Sequence, residues 1–209
     1  MLTIYFIRHG ECQGNREKRF RGRHDFPLNE NGIRQAHQLK QALEGISFQT
    51  LYTSPLSRCR QTADIIANGH IPVVEEEGFI NIRLGEWENT PQSVIRERYP
   101  ELWNIWHTHP EKLRFPGMEP IPEVQHRALA ALQAIQSHHS GETIGIVSHK
   151  VVLKALIAGL LNIPEPYFWK IHMDTAAYSI VEYSAGRGYT LMQLNQNLHL
   201  SDIVREDLE

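Results

Sequence analysis

Two short apolar runs, at 2–7 and 143–147, lie far apart in the chain, and each stops at a polar cluster: Arg8-His9-Gly10 after the first, Ser148-His149-Lys150 after the second. Runs of this length, rich in β-branched residues and separated by helical patterns, read as buried strands of a parallel sheet. The intervening segments agree. Asn29 can cap a helix whose Ile33, Ala36, Leu39 and Leu43 form one face, with Gly45 just past its end. A strand at 50–53 is followed by Ser54-Pro55, which opens a helix to about Ala67, and Val73-Val74 supplies a further short strand. Later, Ile121, Val124, Ala128, Ala131, Leu132 and Ile135 recur at helical spacing, and another helix spans 151–161. Strands at 177–183 and 189–194 flank a turn at Gly186 and Gly188 and read as an antiparallel edge. The expected fold class is α/β: three layers, α/β/α, around a mostly parallel central sheet with an antiparallel edge strand.

From about 85 to 122 the texture changes. Trp87, Trp103 and Trp106 appear among prolines and charges without a sustained strand period, which predicts a helical insertion over the active site. The tryptophans read as packing of that insertion. A chain of 209 residues fits one domain, expected over 1–209, and buries roughly 70% of its unfolded surface without a disulfide or metal staple. Cys12 and Cys59 have no metal-ligand spacing and read as two reduced thiols, with a redox effect as the other reading.

With 21 basic and 24 acidic residues the net charge is −3, so the molecule as a whole has no electrostatic reason to hold nucleic acid or an anionic membrane. No run approaches the roughly 20 apolar residues of a membrane span, and 151–161 carries Lys154. The first residues lack a basic leader or cleavage site, so the expected location is cytoplasmic. The edge strand and the tryptophans permit a homodimer without requiring one.

In open α/β sheets ligands bind beyond the carboxyl ends of the strands. The first strand delivers Arg8, His9, Gly10 and, slightly later, Asn15 to that rim; the second delivers Ser54 and Arg58; the late strand delivers Ser148 and His149. Two arginines, two histidines and an asparagine, with helix N-termini behind them, form a pocket for a tetrahedral dianion. The pairs His107/His109 and His138/His139 lack a carboxylate or cysteine pattern and imply no metal.

These segments resemble a known family. Phe6-Ile-Arg-His-Gly-Glu-Cys-Gln-Gly-Asn15 is similar to the RHGE signature of the histidine phosphatase, or phosphoglycerate-mutase-like, superfamily. Ser54-Pro-Leu-Ser-Arg-Cys-Arg-Gln-Thr-Ala63, Leu84-Gly-Glu-Trp-Glu88 and Val147-Ser-His149 resemble its later motifs, in the same order, and Arg19-Phe-Arg-Gly22 with Asp25-Phe-Pro-Leu28 also matches. The resemblance implies that His9 is a nucleophile that becomes a phosphohistidine, with Arg8, Arg58, Asn15 and His149 holding the phosphoryl oxygens, and that neither cofactor nor metal takes part. Physical chemistry is consistent with those roles. A loose phosphoryl transition state needs positioning and charge neutralisation, and adjacent guanidiniums disfavour an imidazolium at His9. The basic run from Arg16 to Arg23 follows the nucleophile loop directly, so Arg21 or Arg19, near Gly22, is a candidate to touch the anionic part of a substrate.

One position departs from the family pattern. In relatives a glutamate before the third motif acts as general acid; alignment on Gly85 puts Asn81 there, within Phe79-Ile-Asn-Ile-Arg-Leu-Gly85. An amide cannot donate a proton and return as a base, a loss of about 10²–10⁴ in rate. Glu119 is the first substitute, with Glu11 and Glu86 behind it. The insertion and the C-terminal Asn197-Leu-His-Leu200 look most like the small phosphatases, in particular metal-independent phosphoserine phosphatases, where a late histidine, here His199, helps hold substrate. The implied activity is a phosphomonoesterase acting on a small phosphorylated metabolite, phosphoserine favoured. The alternatives are phosphoglycerate-mutase-type transfer and a weakly active, phosphate-ligand-binding regulatory subunit.

Overall fold

A computed structural model describes residues 1–203; positions 204–209, the end of the domain expected over 1–209, lie outside the described residues. Strand β1 (Leu2–Arg8) leads through a single-turn helix α1 (Gln13–Arg16) and strand β2 (Arg19–Phe20) into α2 (Glu30–Ala42). Then follow β3 (Thr50–Thr53), α3 (Ser57–Ala67) and β4 (Val73–Glu75). The insertion contributes β5 (Thr90–Pro91), α4 (Gln92–Arg98) and α5 (Pro100–Thr108). The chain continues through α6 (Ile121–Gln136), β6 (Thr143–Ser148), α7 (Lys150–Leu160), β7 (Tyr178–Ser184) and β8 (Gly188–Gln196).

The six-stranded sheet has the order β4-β3-β6-β1-β7-β8. Its first four strands are mutually parallel, while β7 runs antiparallel to β1 and to β8. The three-layer α/β expectation therefore holds, with the antiparallel β7–β8 hairpin along one edge.

Alternation along β1 divides the core. Ile4 and Phe6 pack with Ile144, Ile146 and the apolar faces of α6 and α7; Tyr5 and Ile7 face the other way, onto Leu39 of α2 and Cys59, Ala63 and Ile66 of α3. Every member of both sets is buried, which places the sheet between two helical layers. No helix among the described residues is long and apolar enough to cross a membrane.

Helix α2 begins where expected, because the Asn29 side chain accepts from the Gly32 amide at 2.8 Å. Its inner face differs from the expected one. Ile33 is 42% exposed, whereas Gln35 is buried and its Oε1 accepts from the Glu11 amide at 2.9 Å. The loop after β1 carries a backbone N–H that needs a partner, and this polar demand displaces the apolar residue. Trp87 packs as expected, fully buried, stacked on Phe115 at 4.5 Å and against Phe20 at 5.0 Å, whereas Trp106, also buried, lines a cavity at the strand ends.

Candidate active site

Register brings the functional residues together. Arg8 at the end of β1 is paired with Ser148 at the end of β6, and Thr53 at the end of β3 is paired with Val147. The next residues, His9, His149 and Ser54, consequently emerge at one rim. The His9 amide donates to the Ser148 carbonyl at 3.1 Å, and the Ser54 amide to the Val147 carbonyl at 3.0 Å, so the ladder extends into the site. Gly10 and Gly32 make the close approach behind it. A Cβ on Gly10 would stand 2.6 Å from the Gly32 carbonyl oxygen, and one on Gly32 would stand 1.9 Å from that of Glu11.

His9 is buried, and its Nδ1 lies 2.7 Å from the Gly10 carbonyl oxygen. Because that oxygen can only accept, Nδ1 carries the hydrogen and Nε2 the lone pair. Burial pushes the His9 pKa well below the usual imidazole value, and the charges of Arg58 and then Arg8 push it further. The ring is neutral at physiological pH. Its centroid lies 5.2 Å from that of His149, whose pKa is likewise driven down by burial and by Arg58. His149 Nε2 and Ser54 Oγ share a hydrogen bond of 2.8 Å.

Both core guanidiniums are buried and held by carbonyl oxygens. Arg8 Nη1 donates to Met173 at 2.7 Å; Arg58 donates to His24 and to Gly22, each at 3.0 Å. Arg58 Nε is buried with no partner. An unpaired donor on a buried cation costs about 1–3 kcal/mol, which a bound anion recovers. Asn15 is also fully buried and accepts from the Cys12 amide at 2.9 Å, fixing the turn after His9.

The cavity is lined by His9, His149, Arg19, Arg21, Gly22 and Asn81, by Gln92 and Lys150 at its polar side, and by Ile82, Leu84, Val151 and an aromatic wall of Phe20, Trp106, Phe168 and Trp169. Of the expected candidates, His9, His149, Arg21, Gly22 and Asn81 line it, and Arg8 and Arg58 act on His9 through their charges.

Glu119 and His199 do not line it. The Glu119 carboxylate receives Arg127 Nε at 2.7 Å, Arg23 Nη2 at 3.2 Å and the Arg83 amide at 3.3 Å. Burial raises its pKa, but these partners outweigh burial and the net shift is downward, away from what a proton donor needs. His199 Nε2 donates to the Ala176 carbonyl at 3.0 Å and stacks on Tyr178, bracing the loop whose Ala176 amide bonds the His9 carbonyl. The other substitutes are likewise engaged: Glu11 is fully buried against Arg16, Asn29 and Asn31, and Glu86 bonds Tyr99.

Two features of the cavity have no counterpart in the expected site. Phe168 and Trp169 form half of the aromatic wall; their only sequence signal is the cluster Tyr167-Phe-Trp169 after an unpatterned stretch. Behind them Lys154, buried in α7, donates to the Phe168 carbonyl at 2.8 Å and places Nζ 4.3 Å from the Phe168 ring centroid. Among the described residues no group of three or more His, Cys, Asp or Glu side chains is placed to hold a metal ion.

A parallel sheet whose rim brings two neutral imidazoles to one cavity, backed by the buried guanidiniums of Arg8 and Arg58, has the architecture of an α/β enzyme acting on phosphate monoesters. The chain belongs to the histidine phosphatase superfamily (branch 1), which it matches over residues 4–197. It is 31% identical to Phosphoserine phosphatase 1 of Hydrogenobacter thermophilus, across 99% of this chain and 98% of that one. Among solved structures, Bacillus stearothermophilus YhfR superposes with a TM-score of 0.92 at 33% identity, covering 96% of this chain and 100% of that one. A phosphoserine phosphatase mutant from Entamoeba histolytica, in complex with phosphoserine, superposes with a TM-score of 0.83 at 27% identity, with 96% and 100% covered.

Proposed function

We propose that this enzyme hydrolyses a small phosphorylated metabolite, phosphoserine foremost, through a phosphohistidine at His9. The observation that carries the reading is the Nδ1 hydrogen bond to Gly10, which leaves Nε2 as the lone-pair nitrogen of a ring kept neutral by burial and by Arg58 and Arg8. In the first step Nε2 bonds to phosphorus as the ester oxygen departs; in the second, water attacks phosphorus and the imidazole leaves. Arg8, Arg58 and His149 neutralise the phosphoryl oxygens, and Asn15 holds the turn that aims the ring. No step is assigned to a metal or cofactor.

The substrate proposal draws on two observations. Arg19, Arg21, Gln92 and Lys150 at the polar side of the cavity suit the carboxylate of a small phosphorylated acid. Two of the similar proteins are named for phosphoserine. Of the basic run, Arg19 and Arg21 line the cavity, Arg19 paired with Glu17 and Arg21 donating to the Gly14 carbonyl, whereas Arg16 and Arg23 are paired with Glu11 and Glu119. That favours hydrolysis over mutase-type transfer, which must also hold a second phosphate. Asn81 favours one second reading, a slow enzyme retained as a phosphate-ligand-binding subunit.

The test is phosphate release from a panel of phosphoserine, phosphoglycerates, sugar phosphates and nucleotides. His9→Ala abolishes turnover of every active substrate; unchanged turnover refutes the nucleophile.

A further inference from the structure

No aspartate or glutamate lines the cavity among the described residues. The carboxylates of the surrounding loops are all engaged. Glu11 and Glu119 are held as described; Glu88 accepts from the Leu84 and Arg23 amides at 2.9 and 3.1 Å; Asp174 accepts from Asn195 and Asn197 at 2.9 and 2.8 Å. Both histidines are neutral. An alkoxide leaving group therefore finds no carboxyl group to protonate it.

The cavity offers an acceptor instead. Asn81 Nδ2 donates to the Gly22 carbonyl at 2.8 Å, the same oxygen that receives Arg58, and this fixes which way the amide points. Oδ1 is left buried with no partner. Asn81 lines the cavity, and its buried, unpartnered oxygen is an acceptor for an N–H or O–H that a ligand brings beside it. Of the aromatic wall, Phe20 and Trp106 add surface that attracts a cation, while Phe168 and Trp169 already carry Lys154 Nζ at 4.3 and 4.9 Å from their ring centroids.

We infer that Asn81 Oδ1 receives an ammonium group of the substrate, and that this ammonium supplies the proton the leaving oxygen needs, so the site selects phosphate esters of 1,2-amino alcohols. The inference rests on the phospho-His9 reading and deepens it, since phosphoserine belongs to this class. In the first step the Nε2–P bond forms and the P–O ester bond breaks. One ammonium proton passes across the two-carbon link to the departing oxygen, giving a hydroxyl and a neutral amine. Water then hydrolyses the N–P bond, and the released amine takes a proton from solvent. The cations that lower the His9 pKa act in the same sense on a bound ammonium and ease the loss of its proton.

The experiment compares kcat/KM for phosphoserine with that for the phosphate ester of 3-hydroxypropionate, identical except for the ammonium. p-Nitrophenyl phosphate, whose leaving group needs no proton, serves as reference. Phosphoserine exceeds the des-amino ester by about 10²-fold or more, within the range of a positioned proton donor. In Asn81→Leu the ratio falls towards unity, and in Asn81→Glu the supplied carboxyl raises the des-amino ester about 10–100-fold relative to p-nitrophenyl phosphate. Equal rates on the two esters in the unmodified enzyme overturn the inference, as does a ratio that Asn81→Leu leaves unchanged. Persistence of p-nitrophenyl phosphate turnover in His9→Ala would instead refute the underlying nucleophile, whatever the ester ratio.

Discussion

The rings of His9 and His149 stand 5.2 Å apart at an interplanar angle of 61°, each held neutral first by its burial and then by the same guanidinium, Arg58. They come from strands that are adjacent in the sheet although about two-thirds of the chain separates them. In the proposed reaction the phosphoryl group sits between them and the arginines, which neutralise its oxygens.

Removing one of these partners tests that division of labour. His149→Gln keeps polarity but loses the ring that bonds Ser54, and kcat on p-nitrophenyl phosphate falls by about 10²–10³. Steady-state kinetics would show a loss in kcat larger than the rise in KM, because the charge it meets is greatest in the transition state.

Two buried neutral imidazoles also set a pH dependence of stability. Both folded-state pKa values are lowered, so below about pH 6.5 the unfolded chain binds protons that the folded chain refuses. The sign follows: this contribution is present above the unfolded value and is lost as pH falls from there towards the folded values. Each histidine contributes a slope of roughly 1.4 kcal/mol per pH unit within that window. Urea unfolding at successive pH values reads it, and a flat profile between pH 7 and 5 would contradict the burial of both rings.

The thiol of Cys59 is fully buried beside His149, and burial pushes its pKa up to about 12. Reactivity belongs to the thiolate, so iodoacetamide at pH 8 alkylates Cys59 only as fast as the protein unfolds. Intact mass measured over time, with and without urea, separates this from a redox-active cysteine, which would react in the folded state.

Gly32 carries a prediction about the scaffold. A methyl group there would press on the Glu11 carbonyl oxygen, and backbone on both sides leaves no flexible atom to yield. Gly32→Ala costs about 3 kcal/mol and lowers the melting temperature accordingly. Wild-type stability in that variant would mean that α2 and the His9 loop are not in contact.

Glu119 separates a structural carboxylate from an acid catalyst. Its partners Arg127 and Arg23 are themselves partly buried, so Glu119→Leu leaves cations uncompensated and costs about 3 kcal/mol in denaturant unfolding. The pH–rate profile on phosphoserine keeps its shape. A lost limb in that profile would return Glu119 to the role of proton donor.

Much of this was legible in the sequence where burial and periodicity agree. The runs that became β1 and β6 are apolar because both faces of the sheet are covered, and the polar clusters after them mark the rim. Asn29 announced its helix through its own side chain. The β2–β5 pairing was not legible, since two residues on each side carry no period. Nor was the exchange of Ile33 for Gln35, which depends on an amide brought from another loop. The same holds for Glu119 and His199: their residue types suit catalysis, but Arg127, in the helix that follows Glu119, and Tyr178, on β7, decide where they point.

The Phe168–Trp169 wall is tethered by Glu111, a buried residue of the insertion whose single oxygen Oε1 accepts both the Tyr167 and the Phe168 amides at 2.8 Å. Trp169 Nε1 adds a second tie, donating to the Trp106 carbonyl at 2.9 Å. Two stretches separated in sequence are thereby fastened into one rigid cheek, and neither can retreat alone to admit a bulkier molecule. Widening the cavity on this face would require coordinated change on both sides of the fastening, so its width is a mechanical property of the framework.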